Sequence, residues 1–172
     1  NKLVVVCFVL ICASACSPSA NDDQRRDVSN ATKAVNRDRA IGNAFPDAVS
    51  VRLFVNTEYG DDGLPIYGKP RGLLLSDAQR AELQTLIKVH RIEPDRLVAM
   101  CFVPHHFFRY YDRSGKVVGE LRVCFCCAGV GQSGPSPIRL REDEDLSADY
   151  TGLEAFVRRL GEPTDVQCDD DT

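Results

Sequence analysis

Four cysteines, Cys101, Cys124, Cys126 and Cys127, fall within twenty-seven residues of this 172-residue chain, on either side of a predicted hairpin. Segments 107–112 and 117–126 are rich in β-branched and aromatic residues, and Arg113-Ser114-Gly115-Lys116 supplies the Ser and Gly of a tight turn between them. If residue 112 faces 117, regular antiparallel pairing sets Cys124 opposite His105 and Cys127 opposite Phe102. A bulge at Pro104 shifts that register by one residue without undoing the convergence. Any fold must therefore bring Cys101-Phe102-Val103-Pro104-His105-His106 and Val123-Cys124-Phe125-Cys126-Cys127 to one place.

The remaining pattern is that of an α+β domain. Val49-Ser50-Val51-Arg52-Leu53-Phe54-Val55 alternates as a strand with Val49, Val51, Leu53 and Val55 on one face. Residues 56–75, punctuated by Gly60, Gly63, Pro65, Gly68, Pro70 and Gly72, read as a long loop or loose hairpin. Ser76-Asp77-Ala78-Gln79 fits a capping box, and Leu83, Leu86, Ile87 and His90 continue an apolar stripe, so the spacing predicts a helix over 77–90. His90, at its end, is explained there by charge complementarity with the helix terminus. Segments 97–103, 107–112 and 117–126 form a predicted antiparallel meander, with Phe107, Phe108, Tyr110 and Tyr111 as sheet packing. A second capping box, Thr151 with Glu154, opens a predicted helix over 152–160, ended by Gly161 and Pro163. The expected fold is an antiparallel sheet of about four strands with the two helices on one face. Gly129, Gly131 and Gly134 read as a flexible loop, and Glu142-Asp143-Glu144-Asp145 as a solvated acidic loop.

At the other end of the chain, Lys2 precedes the apolar run Leu3 to Cys12, which is too short to span a bilayer as a helix. A basic start, an apolar core and small residues after it form a secretory signal. The small residues end in Ala13-Ser14-Ala15-Cys16, which resembles the lipobox of bacterial lipoproteins. That resemblance implies cleavage before Cys16, a diacylglyceryl group with further acyl chains such as palmitate on that residue, and attachment to a membrane through the lipid. Ala-Ser-Ala also fits the rule for the general signal peptidase, and both readings export the protein. The expected organisation is a signal peptide over 1–15, the lipidated Cys16 with a flexible tether to 47, and a single domain over 48–172. The tether assignment rests on the Ser, Asn, Asp, Arg and Ala content of 17–47. Ser17, not Asp, follows the cysteine, which by the same resemblance favours the outer membrane of a Gram-negative cell.

Without the signal the chain carries twenty Lys and Arg against twenty-five Asp and Glu, a balance of −5 that argues against nucleic acid as a partner. A partner protein in the envelope is compatible with it. There is no nucleophile elbow, helical His-Glu-x-x-His, phosphate-binding glycine loop or Cys-x-x-Cys-His, so no enzyme is indicated.

The cluster also resembles exported bacterial proteins that carry Cys-Phe-x-Pro-x-His and, after a short hairpin, Cys-Phe-x-Cys. Here the matching positions are Cys101, Phe102, Pro104, His106, Cys124, Phe125 and Cys127. The resemblance implies a shared module and brings no activity with it. Three readings of the cluster stay open. One is a disulfide joining Cys101 to Cys124 or Cys127, leaving Cys126 and Cys168 as free or extra thiols. The second is a zinc or copper site of Cys101, His106, Cys124 and Cys127. The third is a thiol-redox role for Cys124-Phe125-Cys126-Cys127. Adjacent strand residues point to opposite faces, so at most one of His105 and His106 joins the cluster while the strand stays regular, the other being a surface or loop residue. The function expected is a membrane-anchored, non-enzymatic binding or structural domain with a cysteine-stabilised hairpin and no required cofactor. The alternative is a metal-binding or thiol-active lipoprotein.

Overall fold

The computed structural model describes residues 38–92, 102–135 and 137–168. The signal, Cys16, most of the tether, Cys101 and residues 97–101 of the expected first meander strand lie outside the described residues. Among the described residues no helix is long and apolar enough to cross a membrane.

The fold is α+β and mainly sheet. Its strands are β1 (Arg39–Ala40), β2 (Ser50–Tyr59), β3 (Pro65–Tyr67), β4 (Leu73–Leu74), β5 (Ile87–Arg91), β6 (His106–Tyr111), β7 (Val117–Cys124), β8 (Gly129–Ser133) and β9 (Glu144–Ala148). The helices are α1 (Asp77–Leu86) and α2 (Tyr150–Arg159). The larger sheet runs β3-β2-β6-β7-β8 with β4 also on β2, the smaller one β1-β5-β9, and every pairing is antiparallel. In place of about four strands there are nine among the described residues, in two sheets. The helices do not simply cover one face: Leu83 of α1 and Leu153, Phe156 and Val157 of α2 enter a core built from both sheets.

Alternation on β2 buries Val51, Leu53 and Val55, which meet Phe108, Tyr110, Leu121 and Val123 of β6 and β7. Val49 is exposed, being just outside the strand. On the opposite face Arg109 lies over the rings of Phe54 (4.6 Å) and Tyr67 (5.0 Å) and pairs with Glu120 (2.7 Å). The aromatic residues of β6 are thus packing residues on both faces, as their strand preferences predict.

The capping box at α1 is present: Gln79 N–H donates to Ser76 Oγ (3.3 Å) and Ser76 N–H to Gln79 Oε1 (2.8 Å). The helix stops at Leu86 instead of residue 90. Ile87, Lys88, Val89 and His90 pair with Ala148, Ser147, Leu146 and Asp145, so tertiary strand pairing overrides a helical period carried on by Ile87 and His90. At α2 the cap is Asp149, which accepts from Gly152 N–H at 3.0 Å, and Thr151 lies inside the helix. Glu154 consequently turns away from the expected box, to Arg158 and to the Thr164 hydroxyl.

Three composition-based readings are revised. Residues 38–47 belong to the fold, since Arg39–Ala40 pairs with β5 and Ile41 and Phe45 are buried. Gly129–Ser133 is a strand on β7, because its glycines leave room for the Phe102 ring, which an added Cβ would meet at 2.6 Å over Gly129 and 3.0 Å over Gly131. Two of the acidic residues, Glu144 and Asp145, open β9. Glu144 is buried, accepts from Arg141 N–H (3.0 Å), and is paired with the guanidinium groups of Arg141 and Arg39.

Candidate functional site: the cysteine turn

The predicted 113–116 turn sets the register of β6 on β7. His106 faces Val123 and Tyr110 faces Gly119, as facing 112 with 117 requires, with a bulge that moves Tyr111 onto Val117. At the other end His105 is outside the ladder, its N–H donating to the Val123 carbonyl at 3.2 Å. The chain leaves β7 after Cys124 and turns through 125–128, with Ala128 in the left-handed region (φ 46°), before β8. Cys127 therefore does not stand opposite Phe102 in a ladder. The two still converge, since Phe102 lies on the β8 glycines and the space beside Gly129 is bounded by both Phe102 and Cys127.

Two cysteine pairs at disulfide distance meet at this turn. Cys124 pairs with Cys127 (Cα–Cα 5.6 Å) and Cys126 with Cys168 (Cα–Cα 5.4 Å). This differs from the expectation that Cys124 or Cys127 bridges to Cys101 and that Cys126 and Cys168 are free or extra thiols. The reason lies in the turn. By reversing immediately after Cys124 it brings Cys127 back beside it, and leaves the exposed Cys126 facing the segment after α2. The five cysteines in 48–172 show only that they cannot all pair with one another, and the choice of Cys168 for Cys126 is set by that tertiary approach.

The histidines divide between the two faces, with roles unlike those expected. His106 is on the core side, where its Nε2–H donates to the Pro163 carbonyl at 2.7 Å and its ring meets Phe125 edge-on at 4.7 Å. A carbonyl only accepts, so Nε2 carries the proton. Cys124, next to core-facing Val123, stands on the other face, so the proposed ligand pair of His106 with Cys124 is separated by the sheet. His105 lies in the loop before β6, one of the two expected placements, but is buried there, and its carbonyl accepts from Asn56 N–H at 2.7 Å. Among the described residues no group of three His, Cys, Asp or Glu side chains is placed to hold a metal, with Cys101 outside them.

Between α2 and the turn lies an open cleft of about 220 Å³, lined by Phe125, Cys126, Tyr150, Glu154, Asp165 and Cys168, among others. Thr164 fixes its far wall by accepting from Arg158 Nε (3.0 Å) and donating to Glu154 (3.2 Å). The segment after α2 is thus tied to the sheet through His106, to the cysteine turn through Cys168, and back to α2 itself through Thr164.

Titration of these groups has a definite sign. Burial lowers both imidazoles from the ordinary 6.5, and for His106 the bond to Pro163 only partly opposes it. As pH falls through about 6.5 the unfolded chain takes up protons that the folded histidines refuse, so stability should fall. At lower pH a second loss follows. The Arg141 N–H, with the two guanidiniums, holds the Glu144 carboxyl at about 2 rather than 4.5, and the stability that this contributes above 4.5 is lost as pH approaches 2. Urea midpoints measured at pH 7.5, 5.5 and 3 should fall in that order. His106→Gln should flatten the first interval and Glu144→Gln the second; equal slopes in wild type and variants would refute the assignment.

Compared with known proteins, the chain matches no family model, no curated protein and no solved structure.

Proposed function

We propose that this chain is an exported, lipid-anchored protein of the bacterial cell envelope, periplasm-facing, with a domain of binding or structural duty fastened at its cysteine turn. The observation that carries the reading is the meeting of two cysteine pairs at one turn. Disulfides persist in oxidising compartments and are rare in the reducing cytosol. A chain with such pairs needs a route out, and Lys2, the apolar run and Ala13-Ser14-Ala15-Cys16 have the form of one. Several acyl chains on Cys16 would hold it stably, because each buried methylene contributes about 0.8 kcal/mol.

The test is Cys16→Ser. Wild type should incorporate labelled palmitate and partition with membranes, and the variant should lose the label and appear as an unprocessed or soluble species. Unchanged size, label and attachment in the variant would defeat the proposal. A metal-binding reading is separated by elemental analysis with a thiol count: one equivalent of zinc or copper with free thiols would replace the disulfide reading. A thiol-active reading has a specific observation in its favour, the hydrogen bond from Cys127 N–H to Cys124 Sγ.

A further inference from the structure

The two sulfur pairs differ in what they constrain. Cys126 and Cys168 are 42 positions apart in the sequence and Cys124 and Cys127 are 3 apart. Closing a loop stabilises a fold in proportion to the chain freedom it removes, so the long bridge is a staple and the short one contributes little. Their surroundings differ as well. Cys127 is half-buried, whereas Cys124 is buried and its Sγ accepts from Cys127 N–H at 3.3 Å. Burial disfavours a thiolate at Cys124, and the backbone N–H directed at its sulfur offsets that cost, so Cys124 can leave when the more accessible Cys127 is attacked. Cys127 Sγ stands at the edge of the space over Gly129, 3.4 Å from where a Cβ would lie, and the part-exposed Phe102 ring covers the rest of that space. The Cys126–Cys168 pair instead shares its cleft with the Glu154 and Asp165 carboxylates, and the adjoining N-terminus of α2 is already capped by Asp149. Neighbouring negative charge disfavours a thiolate at either of those sulfurs.

We propose that Cys124–Cys127 is a thiol-exchanging disulfide that oxidises dithiols, while Cys126–Cys168 is a permanent structural bridge. The proposal rests on the reading that the domain works in an oxidising compartment. A thiolate of the dithiol attacks Cys127 Sγ; the S–S bond breaks and its electron pair leaves on Cys124, held by the Cys127 N–H. The second thiolate of the dithiol then attacks the substrate sulfur of the mixed disulfide and expels Cys127 as thiolate. The dithiol loses two electrons and becomes a disulfide, and Cys124 and Cys127 gain them with the two protons that the dithiol released.

The probe is dithiothreitol, titrated against the oxidised full chain in detergent, with alkylation and peptide mapping of each cysteine. Cys124 and Cys127 should become alkylated at concentrations at least tenfold below those that open Cys126–Cys168. Opening of the two pairs together, or of Cys126–Cys168 first, would overturn the proposal. In the single variants, oxidised glutathione should modify Cys127 of Cys124→Ser at least tenfold faster than Cys124 of Cys127→Ser. Equal rates would overturn the assignment of attacked and leaving sulfur. A chain trapped from cells with every cysteine reduced would instead overturn the export reading. The order of opening in the purified protein is independent of that result, so the two failures are distinguishable.

Discussion

Gly119→Val should cost about 3 kcal/mol or more of folding stability, a large share of the roughly 5–15 kcal/mol that holds a domain together. Gly119 lies in the middle of β7, opposite Tyr110, and the Phe45 ring occupies the space where a side chain would stand. An added Cβ would fall 2.0 Å from that ring. Phe45 cannot readily withdraw, being 2 % exposed and in contact with Tyr110 at a ring separation of 4.4 Å. Nor is there room behind, for the Gly134 backbone closes on Gly119 from β8's end. The side chain must either expel Phe45, which costs as much as a large-to-small core change, or distort the sheet. Urea denaturation checks it. Phe45→Ala should be destabilising alone and should lessen the further cost of Gly119→Ala, a coupling of the kind that neighbours sharing one space display. Additive effects, or an unchanged midpoint for Gly119→Val, would show that Phe45 is not seated over the glycine.

Removing the long bridge should have an effect of similar size by a different route. With its cysteines 42 positions apart, the double variant Cys126→Ser/Cys168→Ser should lose about 4 kcal/mol under oxidising conditions, mainly by releasing the unfolded chain. The corresponding change at Cys124 and Cys127, 3 apart, should cost about 2 kcal/mol or less on the same reasoning. Serine differs from cysteine by one atom, so little packing is lost in either case. Denaturant midpoints of the two double variants beside the wild type give the comparison. A smaller loss for Cys126→Ser/Cys168→Ser than for Cys124→Ser/Cys127→Ser would contradict the division of roles.

What could be read in the sequence was what is decided locally. The Ser76 and Gln79 cap forms between neighbours in the chain, and the 113–116 turn sets the β6–β7 register through short-range geometry. The alternation of Val51, Leu53 and Val55 likewise reports its own buried face. Elements whose stability comes from a distant partner were misread. Gly129–Ser133 has the composition of a loop, and its glycines suit a strand only because Phe102 lies on them. Glu144 is tolerable in a buried strand because Arg39, 105 positions away, and Arg141 meet its carboxylate. Phe45 stood in a polar stretch as one isolated aromatic, with nothing nearby to reveal that Gly119 makes its socket. The same holds at the cysteine turn. Convergence of its two ends follows from the hairpin, but the choice of Cys168 for Cys126, and the placing of His106 against Pro163 instead of beside Cys124, depend on how the segment after α2 returns to the sheet.

Adjacent Cys126 and Cys127 are tied in different directions, one to Cys168 and the other back to β7. Under tension this gives the domain a covalent load path. A pull applied beyond Cys168 passes through the sulfur bridge into the turn and on to β7, and everything between the bridged positions, β8, β9 and α2 included, hangs as a slack side-branch. α2 therefore carries none of the force until the bridge is cut, so the same domain would yield at its sheet when oxidised and at its last helix when reduced.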